Sequence, residues 1–127
     1  MRALNIQGGK STPSINYDQD ENIFSIKGSS LPENVYAFYK PVIDWLDEFL
    51  ASPVLEPAMR IILKIQYYNS GTIRFLAEIL NLLGKLRDKG LKFSVDWYYE
   101  ADDDIIREAG EELAEIAGIE FNMISSQ

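Results

Sequence analysis

Apolar side chains recur at every second position in two short stretches near the start of the chain. In "PSINYD" (13–18) they are Ile15 and Tyr17, and in "NIFSIKG" (22–28) they are Ile23 or Phe24 and then Ile26. A period of two is that of a strand with one covered face. The polar "DQDE" (18–21) between them predicts the turn of a β-hairpin. The opening "ALNIQGG" is a further candidate for a short edge strand.

Between Ser30 and Ser52 the period lengthens. Val42, Trp45, Leu46 and Phe49 stand at i, i+3, i+4 and i+7, the stripe of an amphipathic helix. Ser30 precedes Leu31-Pro32-Glu33 and reads as the helix N-cap, with a proline and an acid in the first turn. Pro41 lies inside the pattern and removes one backbone N–H, which predicts a kink or a break into two short helices. "SPVLEP" (52–57) reads as a loop. "MRIILKIQYY" (59–68) is rich in β-branched and aromatic residues, as expected of a central strand buried on both faces.

A second helix is predicted over 73–90. Ile73, Leu76, Leu80, Leu83 and Leu86 face the core, with Arg74, Glu78, Lys85 and Arg87 on the wet side and Gly90 beyond the end. "KFSVDWYYE" (92–100) alternates Phe93, Val95 and Trp97 against Ser94, Asp96 and Tyr98, a strand. A third helix follows over 102–118, with Ile105, Ile106, Ala109, Leu113 and Ile116 inward and Gly118 as its cap, and "IEFNMI" (119–124) is a last strand. The order from the hairpin onward is β-β-α-β-α-β-α-β. It predicts one α/β domain spanning 1–127, with a mixed sheet of about four to six strands and about three to four helices. The later strands should run largely parallel, and helices should cover at least one face.

Composition narrows the function. Charged residues make up 25% of the chain and hydrophobic ones 46%, the balance of a soluble globular protein. No run approaches the roughly 18 apolar residues of a membrane span, and the N-terminus lacks the apolar region of a secretion signal. With no cysteine there is no disulfide framework, so the expected location is the cytoplasm. A net charge of −8 argues against nucleic acid or an anionic membrane as partner. The absence of both His and Cys removes the commonest general base, the thiol nucleophile and the usual zinc ligands. No cofactor is implied.

The chemistry that remains concentrates in "QYYNSGTIR" (66–74), where a strand gives way to a helix. In α/β sheets function gathers at such carboxyl ends of strands. One reading is local: Asn69 or Ser70 caps the helix and Gly71 eases the turn. The other makes Ser70 a phosphoacceptor, its phosphate favoured by the helix N-terminus.

Four segments weigh on that choice: "STPSI" (11–15), "LPENVYAFYKPVIDWLDEFL" (31–50), "YYNSGTIRFLAEILNLL" (67–83) and "VDWYYEADDDIIREAGEELAE" (95–115). Together they resemble the SiaC family of bacterial regulatory phosphoproteins, which is akin to STAS-type anti-sigma factor antagonists. The Pro-Glu-Asn stretch before the first helix and the aromatic-Asn-hydroxyl turn are the most specific parts. The resemblance implies a STAS-like fold and a partner switch. A Ser/Thr protein kinase of the anti-sigma type phosphorylates the residue after the Asn, and a PP2C-type phosphatase removes the phosphate. The unmodified form binds and activates a diguanylate cyclase, raising cyclic-di-GMP and promoting biofilm behaviour. On this sequence Asn69 matches the turn Asn and Ser70 the acceptor. The family's usual Asn-Thr-Ser-Ser is here Asn-Ser-Gly-Thr, so Thr72 is a second candidate.

Other features carry bland readings. Asp102, Asp103 and Asp104 diverge by about 100° each on a helix and lack the spacing of a calcium loop, so they read as a solvated helix start and not a metal site. Tyr36, Phe38 and Tyr39, with Trp45, form either core or an exposed patch. Tyr68, Tyr98, Tyr99, Glu33 and Asn34 are the candidate partner contacts. The expected function is therefore a non-enzymatic, phosphorylation-controlled binding protein. The alternatives are an antagonist that engages an anti-sigma kinase, a constitutive adaptor, and a small carboxylate enzyme using Asp102 or Glu100.

Overall fold

The hairpin turn is closed by one carboxylate. Asp18 Oδ1 accepts the backbone N–H of Asp20 at 3.0 Å and of Glu21 at 3.1 Å. The turn joins β2 (Ser14–Asp18) to β3 (Ile23–Ser30), with Tyr17 opposite Phe24 and Ile15 opposite Ile26. The short β1 (Leu4–Ile6) adds to the outer side of β2. This is a computed structural model, which describes residues 3–90 and 92–126; the side chain of Leu86, placed above in the second helix's stripe, lies outside the described residues.

After β3 come α1 (Val35–Ala51), β4 (Met59–Tyr68), α2 (Ser70–Asp88), β5 (Phe93–Glu100), α3 (Asp104–Ala117) and β6 (Phe121–Ser126). The six strands lie in sequence order, antiparallel through β3 and parallel from β3 to β6. Each crossover steps to the next strand in the same direction. Right-handed crossovers that all step one way put every helix on the same side of the sheet. The result has two layers, not three.

That geometry corrects the expectation for β4. Met59, Ile61, Leu63 and Ile65 are buried under the helices, but Arg60, Lys64 and Gln66 on the opposite face meet solvent. The apolar run of β4 thus serves one covered face. On the open face Asp96 is only 8% exposed, held between Arg60 Nη2 at 3.1 Å and Asn122 Nδ2 at 2.9 Å. Lys64 Nζ lies 5.4 Å from the centroid of the Tyr98 ring.

The first helix differs from expectation at both places. Its cap is Asn34, whose side chain accepts the N–H of Ala37, while Ser30 is the buried last residue of β3. Pro41 breaks nothing, and α1 is one helix of 17 residues. Pro41 and Ala37, the residue whose carbonyl loses its helical partner, are both exposed. Buried Tyr39 on one side of Pro41 and Val42, Trp45 and Phe49 on the other are held by the same core. Of the aromatic group, Tyr39 and Trp45 are core, Phe38 is half-buried and Tyr36 is exposed.

In α2 the inward residues Leu76, Leu80 and Leu83 are joined by Ile79, and Gly90 follows with a φ of 78°. In α3, Asp103 is the cap, accepting the N–H of Ile106, and Gly118 ends the helix in the left-handed region. Ile106, Ala109 and Leu113 point inward as expected, but Ile105 and Ile116 do not; they are 70% and 54% exposed. Eleven residues span close to three turns, so those two share an outward face. Gly110 is needed for contact, since a Cβ there would fall 2.4 Å from the Trp97 ring.

Candidate functional site

The segment that carries Ser70 is prepared by an irregularity in the sheet. From Gly28 to Ser30 β3 advances two residues, while its partner β4 advances three, from Ile65 to Tyr68. This bulge re-aims the end of β4. The chain then turns at Asn69, whose N–H donates to Ser30 O at 3.1 Å.

Asn69 is the cap of α2 and more. Its Oδ1 accepts from Thr72 N–H at 3.2 Å and from the Thr72 hydroxyl at 2.7 Å, and its Nδ2 donates to Pro32 O at 3.0 Å. Thr72 Oγ1 is also 2.8 Å from Ser30 Oγ and 3.0 Å from Ser30 O. Ser30 Oγ in turn is 2.6 Å from Tyr39 OH. Burial pushes the Tyr39 phenol above its ordinary value, and its bonds to Ser30 and Thr72 pull part of the way back. This chain of hydroxyls fastens β3, α1 and α2 to one asparagine. Thr72 and Ser30 are wholly buried in it.

Ser70, by contrast, is exposed at the first position of α2. Gly71 beside it is not in the left-handed region; a Cβ there would sit 2.9 Å from Val35 Cγ2. Its smallness lets the start of α1 approach the start of α2. Ser70 therefore sits where two helix N-termini converge, among N–H groups that have no intrahelical acceptor.

A cleft opens next to this turn. β4 and β5 are paired as far as Leu63 and Trp97, then separate. β3 stays with β4 to Ser30 and Tyr68, and β5 stays with β6 to Glu100 and Ser126, so the sheet splits along one seam. The gap holds about 300 Å³ between Lys64, Gln66 and Tyr67 on one side and Tyr98, Tyr99 and Glu100 on the other. It runs into an apolar recess of about 500 Å³ walled by Leu31, Tyr67, Tyr68, Ile105 and Ile106. Trp97 Nε1 donates to Ile106 O at 2.9 Å and fixes the start of α3 as the cleft's floor.

Of the candidate contacts, Tyr68, Tyr98 and Tyr99 line these hollows. Glu33 and Asn34 are exposed before α1, on the loop that Asn69 grips through Pro32. Sequence reasoning missed Leu31, Tyr67 and Ile105, which are 42%, 67% and 70% exposed. The signal for Ile105 was present, since Ile105-Ile106 is one isoleucine more than a helix start can bury. Asp102, Asp103 and Asp104 do not converge; among the described residues no group of three or more acids is placed to hold a metal ion.

An exposed hydroxyl on a rigid turn, beside an apolar cleft at the edge of a mixed α/β sheet, defines a small regulatory domain. The chain belongs to the SiaC family of regulatory phosphoproteins, whose profile matches residues 6–126. It is 33% identical over 121 residues to an uncharacterised protein of Pseudomonas aeruginosa strain UCBPP-PA14, covering 95% of this chain and 94% of that one. The crystal structure of apo-SiaC from Pseudomonas aeruginosa is similar with a TM-score of 0.81 at 32% identity, covering 100% of both chains. SiaC in the crystal structure of the diguanylate cyclase SiaD with its activator SiaC, from the same species, gives 0.86 at 32% identity over 97% of this chain and 99% of that chain. Among the described residues no helix is long and apolar enough to cross a membrane.

Proposed function

We propose that this protein is a non-enzymatic partner switch of the cytoplasm. In its unmodified form it binds and activates a diguanylate cyclase. A Ser/Thr kinase of the anti-sigma type phosphorylates Ser70, and a PP2C-type phosphatase resets it. The observation that carries the reading is the contrast at the α2 turn: Ser70 is exposed, whereas Thr72 is buried and engaged by Ser30 and Asn69. A kinase reaches the first hydroxyl without opening the fold. The relative crystallised with the cyclase SiaD as its activator supports the choice of effector.

Phosphorylation adds roughly −1.5 to −2 charges at neutral pH. Tyr68 and Leu31 make the neighbouring surface apolar, and a phosphate there resists the desolvation that docking demands. The fold itself is spared, because helix N-termini favour negative charge. Intact-mass and phosphopeptide analysis of protein from its native cells should place phosphate on Ser70. In calorimetric titration with the cyclase of the same genome, Ser70→Ala should bind like the unmodified protein and Ser70→Glu about 5–150-fold more weakly. Equal binding by the two variants would sink the switch.

A further inference from the structure

The two edges of the sheet are protected unequally. At one, β1 is a strand of 3 residues, too short to recruit much of a neighbour. At the other, β6 runs for 6 residues in unbroken register with β5. Its sequence, FNMISS, holds no charge and no proline, so the usual devices that blunt an edge are missing from it. The backbone groups left over can be assigned. Ser126 O accepts the N–H of Ala101 at 2.9 Å, so the backbone of Ser126 bonds toward β5, and with it that of Ile124 and Asn122. Phe121, Met123 and Ser125 therefore turn N–H and C=O to the free side, where among the described residues no strand meets them.

We infer that β6 pairs antiparallel with β6 of a second copy, joining two sheets into one across a two-fold axis. Such an axis stands perpendicular to the sheet, keeps the helices of both copies on one side and pairs residues of the same face. Placing Met123 opposite Met123 engages every outward group, about six ladder bonds, and the neighbouring registers of the same parity forfeit some of them. In that register Phe121 faces Ser125 of the second copy, Asn122 faces Ile124, and Glu120, just outside the strand, faces Ser126. No like charges stand opposite each other. The helices agree with this arrangement. α3 packs over β5 and β6, with Gly110 against Trp97 and Trp97 level with Met123. The axis therefore passes the middle of α3. The two α3 helices lie antiparallel about two strand spacings apart, roughly 10 Å, an ordinary helix-packing distance. At about 100° per residue Arg107, Glu111 and Ala114 share one flank of α3, and Ile105, Glu112 and Ile116 the other. Ile105 walls the recess with Tyr67 and Tyr68, so its flank faces β4 and the flank of Arg107 faces the edge. That edge-facing flank neutralises itself, since Arg107 Nη1 lies 3.0 Å from Glu111 Oε1. Arg107 also answers Asp104 at 3.5 Å and Glu108 at 3.9 Å, and with Glu115 these stand on the outer side of the helix. The net charge of −8 on each copy works against the pairing mainly at low salt. The interface is independent of the switch. Antiparallel pairing points the two carboxyl edges in opposite directions and leaves each Ser70 and each cleft open.

Sedimentation equilibrium of the full chain over a concentration series, at physiological ionic strength, should give twice the mass of one chain at its upper end. Met123→Pro removes an outward N–H and should weaken the dimer about tenfold or more, with the far-ultraviolet circular dichroism unchanged. Disulfide trapping gives a second test that does not depend on how that variant folds, since the chain has no cysteine. Met123→Cys puts two thiols at facing positions whose Cα atoms lie about 5.5 Å apart, within bridging range. Ser125→Cys, at a more exposed site, puts its two Cα atoms about 14 Å apart. Under mild oxidation the first should run as a covalent dimer and the second should not. A monomer at every concentration overturns the interface, and so does a dimer that a folded Met123→Pro leaves intact. Equal bridging by the two cysteine variants, or none by Met123→Cys, overturns the register and the proposal with it.

Discussion

The two ends of the parallel strands are fastened by the same kind of device and do opposite things with it. At the amino end Asn22 is wholly buried with a φ of 56°. Its Oδ1 accepts from Tyr17 OH at 2.6 Å, and its Nδ2 donates to Val54 O at 3.2 Å and Pro57 O at 2.8 Å. At the carboxyl end Asn69 grips Thr72 and Pro32, backed by Ser30 and Tyr39. Each is an asparagine linked to a tyrosine, the half-buried Tyr17 or the buried Tyr39, and tying down a loop. The amino-end network shuts the hairpin against the 52–58 loop. The carboxyl-end network holds a turn still so that Ser70, its neighbour, can stay in solvent. Rigidity here serves closure in one place and presentation in the other.

Substitutions should separate those roles. The largest loss of stability is expected for Asn22→Ala, which strands a tyrosine hydroxyl and two carbonyls and asks alanine to adopt a left-handed φ; about 3 kcal/mol or more should disappear from a urea denaturation curve. Affinity for the effector, measured under conditions where the variant is folded, should be unchanged. An affinity loss as large as that of a turn variant would erase the distinction between the ends. Thr72→Val should cost about 1–3 kcal/mol by leaving Ser30 and Asn69 short of a partner. Unlike the first variant, it should weaken effector binding as well, because it loosens the surface that docks. If Thr72→Val binds normally, the network is structural only.

The smallest effect under ordinary conditions concerns alkali, where both ends should fail together. Burial, and then the charge of Asp18, push Tyr17 up to about 12, and burial raises Tyr39 as well. A raised phenol pKa means that folding favours the neutral form. That contribution is intact below pH about 10, the unfolded value, and is lost as pH climbs through the folded one. Tyrosinate absorbance should therefore appear first from the exposed rings and last together with loss of circular dichroism. Ionisation of all 7 tyrosines with the fold intact would contradict the raised values of this pair.

Local pattern disclosed the frame. Periods of two and of three to four placed the hairpin, the parallel strands and the inward leucines of α2, and the Asn69-Ser70 turn stood out because it followed an apolar strand. What escaped was whatever needed distant residues. Ser30 looks like a cap from its neighbours alone; only the fold brings it to Thr72, 42 positions away. Pro41 reads as a break because sequence does not show that its exposed side faces water. Tyr67 and Ile105 look like core material, and it takes the parting of β4 from β5 to leave them outside. Strand β4 reads as doubly buried because nothing in it tells that all three helices fall on one side.

That one-sided winding has a practical consequence for watching the molecule at work. The naked face of the sheet points away from the helices, and Lys27 stands on it, paired across the strands with Lys64 and exposed to solvent. The chain has no cysteine of its own. A lone Lys27→Cys would accept a fluorophore at one defined spot on that face, one strand away from the cleft-lining Lys64, and report on complex formation from beside the seam.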